Sequence, residues 1–370
     1  MNTSARIAIS EFEEIVHCRD PKVGLNAIIA IHDTTLGPGT GGTRMYPYRS
    51  EQEALTDVMR LAKGMTYKAA ISHLPFGGGK SVIIGNPEID KTEALLKRFG
   101  EFVEQLKGKY ICAKDVGIHD EDLKIIATKT KHILGLETPT SSGDPSPLTA
   151  HGVVQSIKAI ATEILGKSDL KGIHFAIQGV GSVGHYIAEH LYEAGGKLTI
   201  CDVDQKSLDH LLSKIKAEVV LPDTIYDVKT DFFVPCAMGA ILNAKTIPRL
   251  QCRVVAGAAN NQLASEQDGY DLEKRNIFYA PDYVINAGGL INIAEEQIGY
   301  DKDRAYRHVG RIYQTMIKIM HRSQKMRLPP FIMADHIAEE IVKSKKKSAL
   351  RRANLSLPSG SSVEHYQHSR

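Results

Sequence analysis

The sequence predicts an α/β fold, with two mixed domains following one another along 370 residues. Three observations predict it. Short apolar runs alternate with stretches of helical period. A segment rich in Pro, Gly, Ser and Thr, residues 138–152, divides the chain. Behind it, the order strand, glycine turn, helix, strand marks a βαβ unit and therefore a parallel sheet. The chain is long enough for two cores of ordinary size. Its 42% hydrophobic and 24% charged residues suit a globular protein, not a fibrous or disordered one.

Taken in order, "NAIIAIHD" (26–33) reads as a buried strand and "GPGTGG" (37–42) as a tight loop. Ser50 followed by Glu53 is a capping-box signature. Ala54, Leu55, Val58, Met59, Ala62 and Met65 then keep a helical period, and the helix is expected to end near Gly64, with Lys68 just beyond. Gly77, Gly78 and Gly79 read as a turn that delivers Lys80 to the strand "SVIIG" (81–85). "KYICAKDVG" (109–117) reads as a strand ending at Asp115. Past the divide come the strand "GIHFAIQ", the glycine turn "GVGSVG", the amphipathic helix "HYIAEHLYEA" and the strand "KLTICD". Further apolar strands are expected at 231–236, 252–259 and 276–282. From Lys343 the chain turns basic, and 356–370 reads as a polar, flexible tail.

A formal net charge of +3 is too small to point to a nucleic-acid partner. Cys18, Cys112, Cys201, Cys236 and Cys252 are scattered, odd in number and free of any C-x-x-C pair. They predict reduced thiols in a cytoplasmic protein, with no disulfide frame. No apolar run suggests a secretion signal or a membrane span. The 15 histidines include no H-E-x-x-H or paired ligand spacing, so no metal is expected.

Gly179-Val180-Gly181-Ser182-Val183-Gly184 is G-x-G-x-x-G placed after a strand and opening a helix. In that context it is a dinucleotide fingerprint and not merely a glycine turn. The helix start offers free N–H groups and a positive dipole end to a pyrophosphate. Asp202 ends the next strand, where a carboxylate accepts from the adenosine ribose and repels a 2′-phosphate. Only Lys206 stands near it, so the expected cofactor is NAD and not NADP.

A lysine leaving a glycine turn for a buried strand is partly desolvated, which lowers its pKa and suits it to act as a general base. Lys68 is a candidate neighbour or carboxylate ligand, and Asp115 a candidate proton relay. From spacing alone, however, two exposed lysines and a loop aspartate fit equally well.

"GGTRMYPY", "LAKGMTYKAA", "LPFGGGKSVIIGNP", "CAKDVG", "SSGDPSPLTAHGV", "QGVGSVG", "GAANNQL" and "YAPDYVINAGGLINIAEE" together resemble the leucine branch of the glutamate/leucine/phenylalanine/valine amino-acid dehydrogenase family. The similarity runs from about Gly24 to Ala338. It implies an N-terminal α/β substrate and catalytic domain, 1–137, joined by a C-terminal return segment at about 326–355. It also implies a Rossmann NAD-binding domain, 138–325, with a cleft between the two. By the same resemblance Lys80 is the catalytic base, Asp115 its acid–base partner and Lys68 the ligand of the substrate carboxylate. Asn260 contacts cofactor and Asn261 substrate. The implied reaction is reversible oxidative deamination of an L-amino acid to the 2-oxo acid and ammonium.

In the glutamate enzymes of that family a lysine just before the paired glycines holds the side-chain carboxylate of the substrate. Thr40 stands there in this chain, followed by Gly41 and Gly42, and Ile293 stands where those enzymes carry a hydroxy residue. A carboxylate would enter without a counter-charge, so leucine, isoleucine or valine is expected, in a pocket lined by Ala113, Leu290 and Ile293. Those three read equally as core. Thr40 departs from the leucine pattern and keeps phenylalanine or another apolar amino acid as an alternative. Lys114, where an acid is common, is expected to perturb Asp115. Asp144 and His151 also depart from common family residues. A catalytically silent NAD-binding assembly protein is the rival reading, and the presence of Lys68, Lys80 and Asp115 argues against it. The resemblance implies a homo-oligomer, an octamer being one form.

Overall fold

The computed structural model describes residues 3–136 and 141–355. The junction at 137/138 and the tail 356–370 lie outside the described residues. The first sheet contains β1 (Thr3–Arg6), β2 (Glu14–Asp20), β3 (Leu25–Asp33), β4 (Gly39–Tyr46), β5 (Gly77–Ile84) and β6 (Tyr110–Lys114). Their order is β1-β2-β3-β5-β4-β6, with β4 parallel to β5 and β6 and the remaining pairs antiparallel. Helix α1 (Glu51–Ile71) covers one face, and α2 (Glu93–Gln105) with α3 (Asp120–Ala127) covers the other. This explains the unbroken apolar run of β3. Ile28 and Ala30 meet Ala54, Val58 and Ala62 of α1, whereas Ala27, Ile29 and Ile31 meet Leu95, Phe99 and Leu123.

Three expectations are corrected here. The 37–42 stretch is not all loop, because its glycines 39, 41 and 42 lie inside β4. Helix α1 does not stop near Gly64. Its N-terminus is capped as expected, with Ser50 Oγ accepting the Glu53 N–H at 3.1 Å, but it runs on to Ile71 and carries Lys68 in its last turn. An interior glycine costs about 1 kcal/mol, and the burial of Thr66, Ala69, Ala70 and Ile71 against the sheet outweighs it. Finally, Gly77, Gly78 and Gly79 are strand, not turn. They are there because of close packing. A Cβ on Gly78 would stand 1.9 Å from Thr66 Oγ1 and 2.3 Å from the Ala62 carbonyl oxygen, so the glycine lets α1 lie directly on β5.

The second half opens with α4 (Ser146–Leu165), so the later part of the proline-rich divide is helix and not linker. Asp144 accepts the Ser146 N–H at 2.9 Å, and Pro147 in the first turn needs no partner for an N–H. His151 of α4 makes an edge contact with Tyr306 at 5.2 Å. Then follow β7 (His174–Gln178), α5 (Gly184–Glu193), β8 (Lys197–Cys201), α6 (Gln205–Leu212), β9 (Glu218–Val219), β10 (Phe232–Pro235), β11 (Val254–Val255), α7 (Glu266–Lys274) and β12 (Phe278–Tyr279). All six strands are parallel, in the order β9-β8-β7-β10-β11-β12. That is the doubly wound order whose direction reverses between β7 and β10, opening a crevice at their carboxyl ends.

Four helices follow, α8 (Asp282–Ile285), α9 (Gly288–Ala294), α10 (Lys302–Gly310) and α11 (Ile312–Met326). The last helix, α12 (Pro330–Leu355), returns to the first half and lies along α1. Among the described residues, no helix is long and apolar enough to cross a membrane. Replacing Gly78 by Ala is expected to lower stability by about 3 kcal/mol through overpacking. Chemical denaturation would check this, with Gly64→Ala, whose added Cβ meets no atom within 4 Å, as the tolerated control.

Candidate active site

Lys80 lies in the middle of β5 and is 6% exposed. Alternation along the strand fixes its direction. Ser81 turns toward α2 and donates to Thr43 Oγ1 at 2.9 Å, while Val82, and with it Lys80, faces α1. The ammonium donates to Asp115 Oδ2, just past the end of β6. Gly42 makes that approach possible, since a Cβ there would stand 2.8 Å from the Asp115 Cβ. Gly42 is also level with Ala113 on β6. Burial pulls Lys80 below the usual lysine range. Asp115 opposes that pull, and Arg44 adds to it.

Burial by itself would raise the Asp115 pKa, but Lys80 and Arg44 outweigh it and hold the carboxyl below its usual range. Its Oδ1 accepts the Val116 N–H at 2.6 Å and faces Arg44 Nη2 at 3.5 Å. The cation beside Asp115 is thus Arg44, not Lys114 as expected. Lys114 is exposed and its Nζ turns to Asp120 at 2.8 Å. Arg44 in turn donates from Nη1 to Asp57 Oδ2 at 2.9 Å, and Asp57 also accepts from the Tyr48 hydroxyl at 2.7 Å.

Lys68 reaches across from α1 to the second half. It donates to Asn286 Oδ1 at 2.8 Å. Asn286 Nδ2 donates to Asn260 Oδ1 at 2.9 Å and to the Ala258 carbonyl at 3.2 Å. Burial pulls the Lys68 ammonium down to about 8; Asp282 opposes this and Lys80 contributes to it. Burial raises the Asp282 pKa, while the Gln262 and Tyr283 N–H groups hold its carboxylate at 3.1 and 2.7 Å. Asn261 adopts φ +51°, a left-handed turn that asparagine tolerates.

At the other wall stands the glycine turn. Gly179 has φ +91°, and a Cβ on Gly184 would stand 2.0 Å from the Gly179 carbonyl oxygen. These two are required by the turn itself and by the seating of α5 on β7. A Cβ on Gly181 would meet nothing within 4 Å, so no protein atom requires that glycine. Asp202 Oδ2 accepts the Val180 N–H at 2.7 Å and Oδ1 accepts the Asp204 N–H at 2.9 Å, which ties the end of β8 to the turn. Ser182 and Val183 complete the loop into α5. A turn at a helix start, an open space before Gly181 and a fixed carboxylate together fit a dinucleotide.

The predicted residues therefore gather as two groups, Lys80 with Asp115 and Lys68 with Asn260. Thr40 is buried, its hydroxyl donating to the Pro38 carbonyl at 3.0 Å. Leu290 and Ile293 sit half-buried on α9. A Cβ on Gly41 would stand 1.9 Å from the Gly79 carbonyl oxygen, so Gly41 serves strand packing. Sequence reasoning missed Arg44, Asp57, Asp282 and Asn286. Arg44 and Asn286 lie inside motifs that carried the resemblance, and nothing in spacing singles out Asp57.

The fold is that of an amino-acid dehydrogenase. Residues 12–132 match the Glu/Leu/Phe/Val dehydrogenase dimerisation domain, and residues 142–207 and 200–328 match the Glutamate/Leucine/Phenylalanine/Valine dehydrogenase domain. The chain is 48% identical over 339 residues to the leucine dehydrogenase of Thermoactinomyces intermedius, covering 91% of this chain and 93% of that one. It is 45% identical to the leucine dehydrogenase of Geobacillus stearothermophilus, covering 91% and 92%. The crystal structure of L-tryptophan dehydrogenase from Nostoc punctiforme is similar with a TM-score of 0.82 at 42% identity, covering 91% of this chain and 97% of that one. The chain belongs to the Glu/Leu/Phe/Val dehydrogenase family.

Because the Lys68 pKa falls from 10.5 unfolded to about 8 folded, the unfolded chain binds more protons between those values. Stability from this residue therefore rises with pH across that window. Unfolding free energy measured against pH for Lys68→Met is expected to lack this rise relative to the parent chain.

Proposed function

We propose that the protein catalyses the reversible, NAD-dependent oxidative deamination of a branched-chain L-amino acid, leucine foremost with valine and isoleucine, to the 2-oxo acid and ammonium. The observation that carries this is the buried Lys80–Asp115 pair, with the Lys68 ammonium close enough to feel both charges. In this reading residues 1–137 with the return segment 326–355 form the catalytic domain, and residues 138–325 hold the cofactor.

Gly179, Gly181, Gly184 and the start of α5 would hold the pyrophosphate, Asp202 the adenosine ribose, and Asn260 the nicotinamide side. Bound there, the nicotinamide supplies the acceptor for the hydride leaving the substrate Cα. NAD is favoured over NADP because Asp202 places a carboxylate, with no arginine in "CDVDQKSLDH", where a 2′-phosphate would lie.

Lys68 binds the substrate carboxylate, and Asn261 contacts the substrate. Neutral Lys80 takes a proton from the water that attacks the iminium carbon, forming the carbinolamine. The ammonium of Lys80 then returns a proton to the departing nitrogen, while Asp115 receives the proton from the carbinolamine hydroxyl as the carbonyl forms. Burial supports the unprotonated amine that the first step needs.

Preference for an aliphatic side chain is supported by Thr40. With its hydroxyl committed to Pro38, it offers a methyl group, and no cation, to a pocket completed by Ala113, Leu290 and Ile293. A reducing, cytoplasmic setting suits the five unpaired cysteines. Assembly into a homo-oligomer rests on the N-terminal match to a dimerisation domain.

NADH formation at alkaline pH is expected with leucine and valine, weak with phenylalanine and absent with glutamate, and faster with NAD than with NADP. Lys80→Ala should lower kcat by about 10³-fold with its melting temperature kept. Near-normal turnover would overturn the assignment. Gly181→Ala should weaken NAD binding at unchanged stability, whereas Gly184→Ala should lower stability as well.

A further inference from the structure

We propose that Arg44, anchored by Asp57, is a positioning residue that keeps Asp115 ionised beside an uncharged Lys80 and thereby sets the pH at which the amine becomes available. This rests on the reading of Lys80 as the base.

The argument starts from a conflict inside the pair. A buried lysine touching a single aspartate holds its proton firmly, because losing it would leave a buried carboxylate without a counter-charge. A base so paired would stay protonated over the range in which it must work. The missing counter-charge is supplied by Arg44, whose guanidinium does not deprotonate and whose Nη2 stands 3.5 Å from Asp115 Oδ1. Its place is fixed from behind. Nη1 donates to Asp57 Oδ2 at 2.9 Å, and Asp57 is itself held by the Tyr48 hydroxyl at 2.7 Å and Arg60 at 3.0 Å. The Val116 N–H at 2.6 Å keeps Oδ1 turned toward the guanidinium.

Arg44 also has a buried Nε with no hydrogen-bond partner among the described residues. An unpaired buried donor is costly, so packing alone is a poor reason for an arginine at this place. The charged groups facing the amine are Asp115 after β6, Arg44 on β4, and Asp57 and Lys68 on α1, with Asp282 of α8 behind Lys68. Lys114 is turned away to Asp120. Among these, Arg44 is the only cation with no titration in the working range.

The test is the pH dependence of kcat and kcat/KM for leucine at saturating NAD in Arg44→Met, Arg44→Gln and Arg44→Lys. The same substrate is used throughout, so its own ionisation cancels in the comparison. Both neutral variants are expected to move the ascending limb to higher pH by about one unit, and Arg44→Lys to stay near the parent. Two neutral variants are included so that failure of one to fold leaves the other to be read. Profiles of the neutral variants that superimpose on the parent after scaling, with only the plateau lowered, would reduce Arg44 to a pin between β4 and α1 and overturn the inference, leaving the proposed reaction intact. An Arg44→Lys profile shifted as far as the neutral ones would also overturn it. A parent chain without leucine-dependent NADH formation, or a Lys80→Ala variant that kept the limb, would instead remove the reading on which the inference rests.

Discussion

The buried contact between Lys80 and Asp115 is the constraint around which the first half of the chain is organised. A salt bridge inside a protein is weak evidence of stability, because desolvating both ions offsets much of their attraction. The surroundings are consequently arranged for closeness. Gly78 brings α1 down onto β5, and Gly42 admits the Asp115 side chain. The parallel pairing of β4 with both β5 and β6 fixes the middle of β5 and the end of β6 relative to each other. Each feature gives up side-chain packing to hold two charged groups within reach in a site that excludes water.

The second half supplies the other side of the site, and a small number of polar contacts set the distance between the two. Lys68 meets Asn286 directly, and α12 ties the flanking residues. From α12, Glu339 accepts the Tyr67 hydroxyl at 2.7 Å and Asp335 accepts the Tyr283 hydroxyl at 2.7 Å. Tyr67 neighbours Lys68, and Tyr283 lies less than one turn from Asn286. One helix therefore braces both partners of the contact that spans the cleft. Burial lifts Asp335 to about 6, whereas Lys343 and the Tyr67 hydroxyl hold Glu339 below the usual carboxylate range, so under mildly acidic conditions the brace keeps one of its two charges.

Much of this was legible in the residues, and the failures share one cause. The βαβ unit, the turn from Gly179 to Gly184 and Asp202 follow from local pattern, because a tight turn needs glycine at stated places whatever surrounds it. The run from Gly77 to Gly79 was misread because glycine serves two purposes. It permits unusual backbone angles, which a turn needs, and it permits close approach of a neighbour, which only the tertiary structure reveals. None of these three glycines has positive φ. The continuation of α1 past Gly64 was hidden for the same reason, since the packing that sustains it comes from β5 and α12. Arg44 and Asp57 are thirteen positions apart and on different elements, and their pairing has no local signature.

The division between the readable and the hidden follows the division of labour in the site. Groups that meet a common cofactor do so through backbone geometry, so they leave a motif. Groups that tune a proton do so through burial and through charges brought from distant strands, and no spacing records them. Lys80 illustrates both. Its residue type and its glycine neighbours mark it in the sequence, but burial, and to a lesser degree Arg44, pull its pKa down while Asp115 pulls it up. Which direction prevails depends on how completely water is excluded, and in this fold that is decided by α1 lying directly on a strand of glycines.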